Sequence, residues 1–318
     1  MSGNGSEREQ KTVDLDDLLL KSSRTFALSI PLLPEPTRRE VTVAYLLFRI
    51  ADTFEDAAAW SRVRRQEALA AFVHLLERPR SPDVVGLVAQ WLDEPPVHHA
   101  GYLELLSETP SVLEAFDALL PAAREPVRRH TARTAEGMAG FVGRGSEAGE
   151  LRLDTLQDLR DYCYVVAGIV GEMLTELFIV GHAPLAADAD ALRGRAAAFG
   201  EGLQLVNILK DASADGVEGR RYLPKGVDLA TVFELARTDL DRAAEYTTLL
   251  HDAAAPRGMI AFNALPVQLA RATLDRVEQR GSGAKLTRPE VFAALAAMNA
   301  DLDAGRTPVR PRQTETGS

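Results

Sequence analysis

Apolar side chains recur at three- and four-residue spacing along 41–57, 65–76, 83–92, 112–120, 126–141, 156–180, 191–211 and 229–252, and each stretch predicts an α-helix with one face turned to a core. Between them there is no strand-like alternation. Ala, Leu, Arg and Glu, all good helix formers, dominate these stretches, while Pro and Gly gather in the gaps at 31–36, 95–96 and 143–149. The two ends, 1–14 and 304–318, are polar, rich in Gly, Pro, Ser and Thr, and lack periodicity, which predicts disordered tails. No internal repeat or linker divides the rest, so 15–303 reads as one all-α domain, large for a single domain.

Composition narrows the function. With 318 residues, 46% of them hydrophobic and 26% charged, the chain can bury a sizeable core. Its 36 basic and 46 acidic side chains leave a net charge of −10, which argues against a nucleic-acid partner held through phosphates. Any anionic ligand must be met by local chemistry. A single cysteine, Cys163, excludes an internal disulfide or a cysteine-rich metal site and fits a reducing cytosol. Residues 1–11 lack the apolar core of a signal peptide, so the expected location is cytoplasmic. The nearest approach to a membrane span, 162–181, contains Glu172 and Glu176, and each acid at bilayer depth would cost a few kcal/mol. It reads as a core helix.

The candidate chemistry lies in two acidic helical segments. In Asp52-Thr53-Phe54-Glu55-Asp56 the two aspartates fall one turn apart on one side, with Arg49 a turn earlier and Leu46, Leu47, Ile50 and Phe54 around them. A lone motif of this kind is equally well a solvated acid cluster partnered by Arg49. A second segment shifts the balance. Asn207, Asp211 and Asp215 stand at i, i+4 and i+8, Gln204 precedes them, and Leu203, Leu205, Val206, Ile208 and Leu209 cover the remaining faces. Two oxygen-bearing faces in an apolar frame suit a hard cation such as Mg²⁺ completed by a substrate phosphate. A diphosphate bridged by such ions is a good leaving group.

These motifs resemble those of the squalene/phytoene synthase family of head-to-head prenyl synthases: Asp52 to Asp56, then Asn207 to Asp215 followed by Gly219-Arg220-Arg221-Tyr222-Leu223-Pro224. Ser23-Arg24-Thr25-Phe26 and the run from Tyr162 to Gly171 match in the same order, so the resemblance covers about 22–277. It implies an isoprenoid-synthase helical bundle around a central prenyl cavity. Asp52, Asp56, Asn207, Asp211 and Asp215 would then hold Mg²⁺ between the diphosphates of two prenyl substrates. Ser22, Ser23, Arg24, Thr25, Phe26, Arg49, Gln204 and Lys210 would contact those substrates, and Tyr45 and Tyr162 would line the reaction zone. Val166, Val170 and Gly171 would form tunnel wall, with Gly168 and Gly171 allowing close approach. An allylic cation needs such a dry, non-nucleophilic, aromatic-lined pocket. The chain departs from the family's second motif at Ala214 and Lys210, where Glu and Arg are usual. A carboxylate is lost there, and a point charge replaces a fork.

The implied reaction is condensation of two farnesyl diphosphates through presqualene diphosphate to squalene, reduced by NADPH. Phytoene or dehydrosqualene synthesis, without reduction, is the alternative. Asp52-Thr53-Phe54-Glu55-Asp56 and the segment from Ala264 to Leu274, with Ala270, resemble the squalene branch. Gly137, Gly140, Gly143 and Gly145 make no dinucleotide fingerprint. A non-catalytic helical partner protein of the same fold is a third reading. A hydrocarbon product implies peripheral contact with a membrane. His98, His99, His130 and His182 read as ordinary surface or core histidines and Cys163 as a small core residue. Arg62, Arg64 and Arg65 either guide a diphosphate or balance local acids.

Overall fold

The computed structural model describes residues 13–23, 25–146, 151–217 and 221–312, apart from the side chains of 214–217. Helix α1 (Leu15–Ser22) starts under Asp14, whose carboxylate accepts from the backbone N–H of Asp16 at 2.9 Å. The short α2 (Phe26–Ser29) leads to α3 (Thr37–Glu55). Then follow α4 (Arg62–Glu77), α5 (Val84–Asp93), α6 (Ala100–Ser107), α7 (Thr109–Asp117) and α8 (Pro121–Arg144). Helix α9 (Leu156–Cys163) runs through a π-turn at Tyr164–Gly168 into α10 (Ile169–Gly181). The remainder are α11 (Ala189–Val217), α12 (Leu229–Asp252), α13 (Arg257–Arg280) and α14 (Arg288–Asp303). Among the described residues the β-type pairing is a single bridge between Arg152 and Arg221. The expected all-α class is what the structure shows.

Helix α3 is the axis, packed against α1, α4, α6, α7, α8 and α10. From residue 45 to 56 every side chain is buried except Tyr45, Arg49, Asp52 and Asp56, which recur at spacings of four, three and four. That is one helical stripe, left open on an otherwise enclosed helix. Its C-terminal end is held by aromatic packing: the Phe54 ring lies 4.6 Å from that of Trp91 and 5.9 Å from that of Trp60. Across the molecule α11 packs on α10, α12 and α13, so the two acidic helices belong to opposite walls.

The long apolar run 156–181 has the length and composition of a membrane span, yet its two acids are met within the protein. Arg133 on α8 pairs with Glu172 at 2.8 Å, and Arg129 with Glu176 at 2.5 Å. His130 is buried between them with Nε2 at 3.1 Å from Glu176.

The structure corrects the sequence reading in three places. Residues 304–312 are packed rather than disordered. Val309 is buried, the carbonyl of Pro308 accepts from Gln268, and Arg312 pairs with Asp241 at 2.7 Å and Glu234 at 2.9 Å. Residues 313–318 and 1–12 lie outside the described residues. Helix α8 begins at Pro121 rather than Pro126, because a proline in the first turn supplies a preset φ and lacks only an N–H that has no helical partner there. Finally, Gly171 does allow the close approach expected of it, but to the backbone of α11 rather than as tunnel wall: a Cβ there would lie 1.9 Å from the carbonyl oxygen of Ala196.

Gly171→Ala should therefore destabilise the protein by about 2 kcal/mol or more in urea unfolding, as overpacking against rigid backbone does. Gly194→Ala, with nothing within 4 Å of the new methyl, should instead stabilise it by about 0.5–1 kcal/mol through helix propensity.

Candidate active site

The open stripe of α3 faces a cavity of about 660 Å³ whose opposite wall is α11. Arg49, Asp52 and Asp56 stand on one side and Gln204, Asn207, Lys210 and Asp211 on the other. Ser22, Ser23, Thr25 and Phe26 close one end. A second cavity of about 160 Å³ shares Phe26, Arg49, Asp52, Val166, Gln204 and Asn207 with the first and continues among Ile30, Val41, Phe48, Val170, Leu174, Phe199 and Phe262. The result is one polar chamber with an apolar extension. The rings of Phe26, Phe178 and Phe199 surround Phe262 with centroids at 6.3, 5.9 and 6.4 Å.

Each acidic helix carries its own resident cation. Arg49 Nη1 lies 3.2 Å from Asp52, and Lys210 Nζ lies 3.2 Å from Asp211 while donating to Asn207 Oδ1 at 3.0 Å. Burial nevertheless dominates Asp52: loss of water outweighs the attraction of Arg49, Asp56 adds repulsion, and its pKa is pushed up to about 6. Burial also opposes the Arg49 charge, but Asp52 and the phenols of Tyr45 and Tyr102 prevail, so the guanidinium sits above its ordinary value.

Tyr45, which lines the apolar cavity, links two residues of the polar chamber, accepting from Arg49 Nη2 at 3.2 Å and donating to the Ser22 carbonyl at 3.0 Å. Ser23 Oγ accepts from the backbone N–H of Phe26 at 3.1 Å, which sets the start of α2. Tyr162 is buried, stacked on Tyr222 at 5.0 Å, with its hydroxyl 3.4 Å from Glu55 Oε1. Burial, aided by Glu55 and Tyr222, pushes its phenol far up. A neutral phenol is a poor nucleophile. Cys163 is likewise pushed up by burial and stays an inert core thiol.

The structure thus brings together every sequence-derived site residue that it describes except Gly171. Arg24 and the Asp215 side chain lie outside the described residues. Lys21, Glu55, His99, Tyr102, Met138 and Tyr222 also line the polar chamber. His99 is exposed, in keeping with its reading as an ordinary surface histidine, and its ring lies 4.1 Å from that of Tyr102, where it also lines the chamber. The signal for Tyr222 was present in the motif that follows Asp215. No periodic signal marked His99 or Tyr102. The basic trio after the first motif points elsewhere: Arg62 bonds the Gly145 carbonyl at 3.2 Å, Arg64 lies on the Trp60 ring at 4.3 Å, and buried Arg65 bonds the Glu55 carbonyl.

Among the described residues no three acidic, histidine or cysteine side chains converge as a closed metal cage. The donors do fit Mg²⁺ of the open kind, which takes one or two carboxylates and completes its octahedron with waters and phosphate oxygens. Carboxylates flank the chamber from both walls, and Asp52 is poorly solvated.

An all-α bundle with acidic helices facing each other across a chamber open to an apolar pocket is an isoprenoid-synthase fold. The squalene/phytoene synthase family model matches residues 19–227, and the chain belongs to that family. It is 30% identical over 215 residues to squalene synthase ERG9 of Saccharomyces cerevisiae, covering 66% of this chain and 45% of that protein. Identity to Botryococcus squalene synthase of Botryococcus braunii is 29% over 202 residues, covering 62% of this chain and 38% of that one. The matches thus span less than half the length of these relatives. A solved complex of TcSQS with the ligand E5700 superposes with a TM-score of 0.70 at 25% identity, covering 92% of this chain and 88% of that one.

Asp52 gives a test of the site's electrostatics. Its folded pKa of about 6 lies above the ordinary value of 3.8, so the native state holds this proton more tightly than the unfolded chain. The group's contribution to stability therefore falls as pH rises from about 4 to about 6 and is level above that. Asp52→Asn should raise unfolding stability by about 2 kcal/mol at pH 7, the gain shrinking toward zero near pH 4. An equal effect at both pH values would contradict the assignment.

Proposed function

We propose that the protein is a Mg²⁺-dependent prenyl transferase that condenses two farnesyl diphosphates head to head, through presqualene diphosphate, to squalene. One observation carries this reading: the oxygen-bearing faces of α3 and α11 oppose each other across a polar chamber that opens directly into an aromatic-floored apolar pocket. A prenyl diphosphate has the same division into a charged head and an apolar tail. The relatives named squalene synthase support the squalene branch.

On this reading Asp52 and Asp56 on one wall, and Asn207, Asp211 and Asp215 on the other, would hold Mg²⁺, and the bound metal would neutralise the diphosphate and make it a better leaving group. Arg49, Lys210, Gln204 and the 22–25 segment orient the diphosphates. Phe26, Val166 and Val170 receive the prenyl chains and exclude water, which would otherwise trap the allylic cation. The faces of Tyr45 and Tyr162 stabilise positive charge, and the buried Tyr162 phenol, its pKa pushed far up by burial, stays protonated and so does not capture it. NADPH is the hydride donor that a squalene product requires.

Purified protein incubated with farnesyl diphosphate and Mg²⁺ should yield squalene only when NADPH is added, as identified by mass. Dehydrosqualene irrespective of NADPH would move the protein to the non-reducing branch, as phytoene from geranylgeranyl diphosphate would. Absence of any product would favour a non-catalytic helical partner. Asp211→Ala should lower turnover by at least about a hundredfold, the scale on which charge-stabilising groups act, with the circular dichroism spectrum unchanged.

The location proposed is cytoplasmic with loose attachment to a membrane, because the product is insoluble in water. Flotation with phospholipid vesicles should carry a fraction of the protein upward; recovery of all of it in the bottom layer would refute the attachment.

A further inference from the structure

Two rings lie near the guanidinium of Arg49: its central carbon is 5.6 Å from the centroid of Tyr45 and 5.2 Å from that of Tyr102. Both distances fall within the range of cation–π attraction. Tyr45 stands one turn before Arg49 on the same helix. Tyr102 comes from α6, more than fifty positions away, and no motif accompanies it.

The placement of α6 is specific. At Gly101 a Cβ would lie 2.4 Å from the carbonyl oxygen of Lys21, so only glycine lets α6 settle on the end of α1. Lys21 then reaches across to Glu104 at 2.8 Å. This clasp sets the next side chain, Tyr102, over Arg49, and the His99 ring lies beside it at 4.1 Å. Tyr102 is only half-buried and lines the polar chamber, so it is not simply a core ring.

Arg49 has donors in reserve. Nη1 meets Asp52 and Nη2 meets the Tyr45 hydroxyl, while Nε is buried without a hydrogen-bond partner. A guanidinium carries five N–H donors in a planar fork. With both rings in cation–π range, the Tyr45 hydroxyl accepting from Nη2 and Asp52 held by Nη1, the orientation of that fork is constrained before any ligand arrives. An anion approaching the edge then meets a donor array that it need not order.

Resting on the diphosphate reading above, we infer that Tyr102 is a positioning residue: its ring packs on the Arg49 guanidinium and, with Tyr45, holds the fork preset to grip a substrate diphosphate.

The test compares Tyr102→Phe, Tyr102→Trp and Tyr102→Leu in the full chain. Each is titrated calorimetrically with inorganic diphosphate in the presence of Mg²⁺ and assayed in steady state with farnesyl diphosphate. The aromatic variants should bind diphosphate within about threefold of the parent and the leucine variant about tenfold more weakly. The leucine loss should fall on KM with kcat nearly kept, the pattern of an interaction made equally in ground and transition states. In an Arg49→Ala background, Tyr102→Leu should cause no further loss of diphosphate affinity. Equal affinities for the leucine and phenylalanine variants, or additive losses in the double variant, would overturn the inference while leaving the diphosphate reading intact. If Tyr102→Leu does not fold, a tenfold loss in the folded tryptophan variant would also overturn it. Failure of the parent protein to bind diphosphate would overturn the diphosphate reading, and the inference with it.

Discussion

A carboxylate on a helix buried on nearly every side has too little water to carry its charge alone, and Asp52 is in that position. The residues that pack α3 into the bundle also strip solvent from its open stripe, and Arg49 restores only part of what is lost. The arrangement recurs on α11, where Lys210 sits against Asp211 and Asn207. Each wall therefore holds internally paired charges facing a chamber. On the proposed reading, the carboxylates of both walls would hold the metal, and Arg49 and Lys210 would then be free to meet phosphate oxygens. Such pairing before ligand arrives is what a low-dielectric site requires.

The parts of the molecule legible from sequence were those in which periodicity and chemistry coincide. Helices α3 and α11 carry strong apolar patterns and put their polar residues on one stripe, so both the elements and the facing side chains could be read. Helix α6 spans only Ala100–Ser107, and α14 buries only Met298 among its side chains, so neither gives a clear apolar period. The Thr287–Glu290 capping box was the available signal for α14. Residues 304–312 look like a tail because their composition is polar. They are held by arginine pairs and backbone carbonyls, contacts that composition does not reveal.

The tunnel-wall reading of Gly171 and the unmarked place of Tyr102 share a physical origin. Spacing along one segment shows neither what an absent side chain would meet nor which neighbouring helix brings in a ring. Gly171 points at the backbone of α11, a helix some twenty-five positions away in sequence. His99 and Tyr102 reach the chamber only because Gly101 lets α6 touch α1. Distances between helices decide such cases, and a periodic pattern carries no distance.

Dryness links the two halves of the proposed chemistry. The burial that raises the Tyr162 phenol far above its ordinary value, and so keeps it non-nucleophilic beside a carbocation, also raises Asp52 to about 6. Admitting water would lower both values. It would make Asp52 a readier anion at neutral pH, and it would place a nucleophile next to the cation. The raised carboxylate is therefore not a defect awaiting a stronger salt bridge. It follows from the burial of the helix that carries it, and a bound cation would be the partner that reconciles an ionised Asp52 with those surroundings.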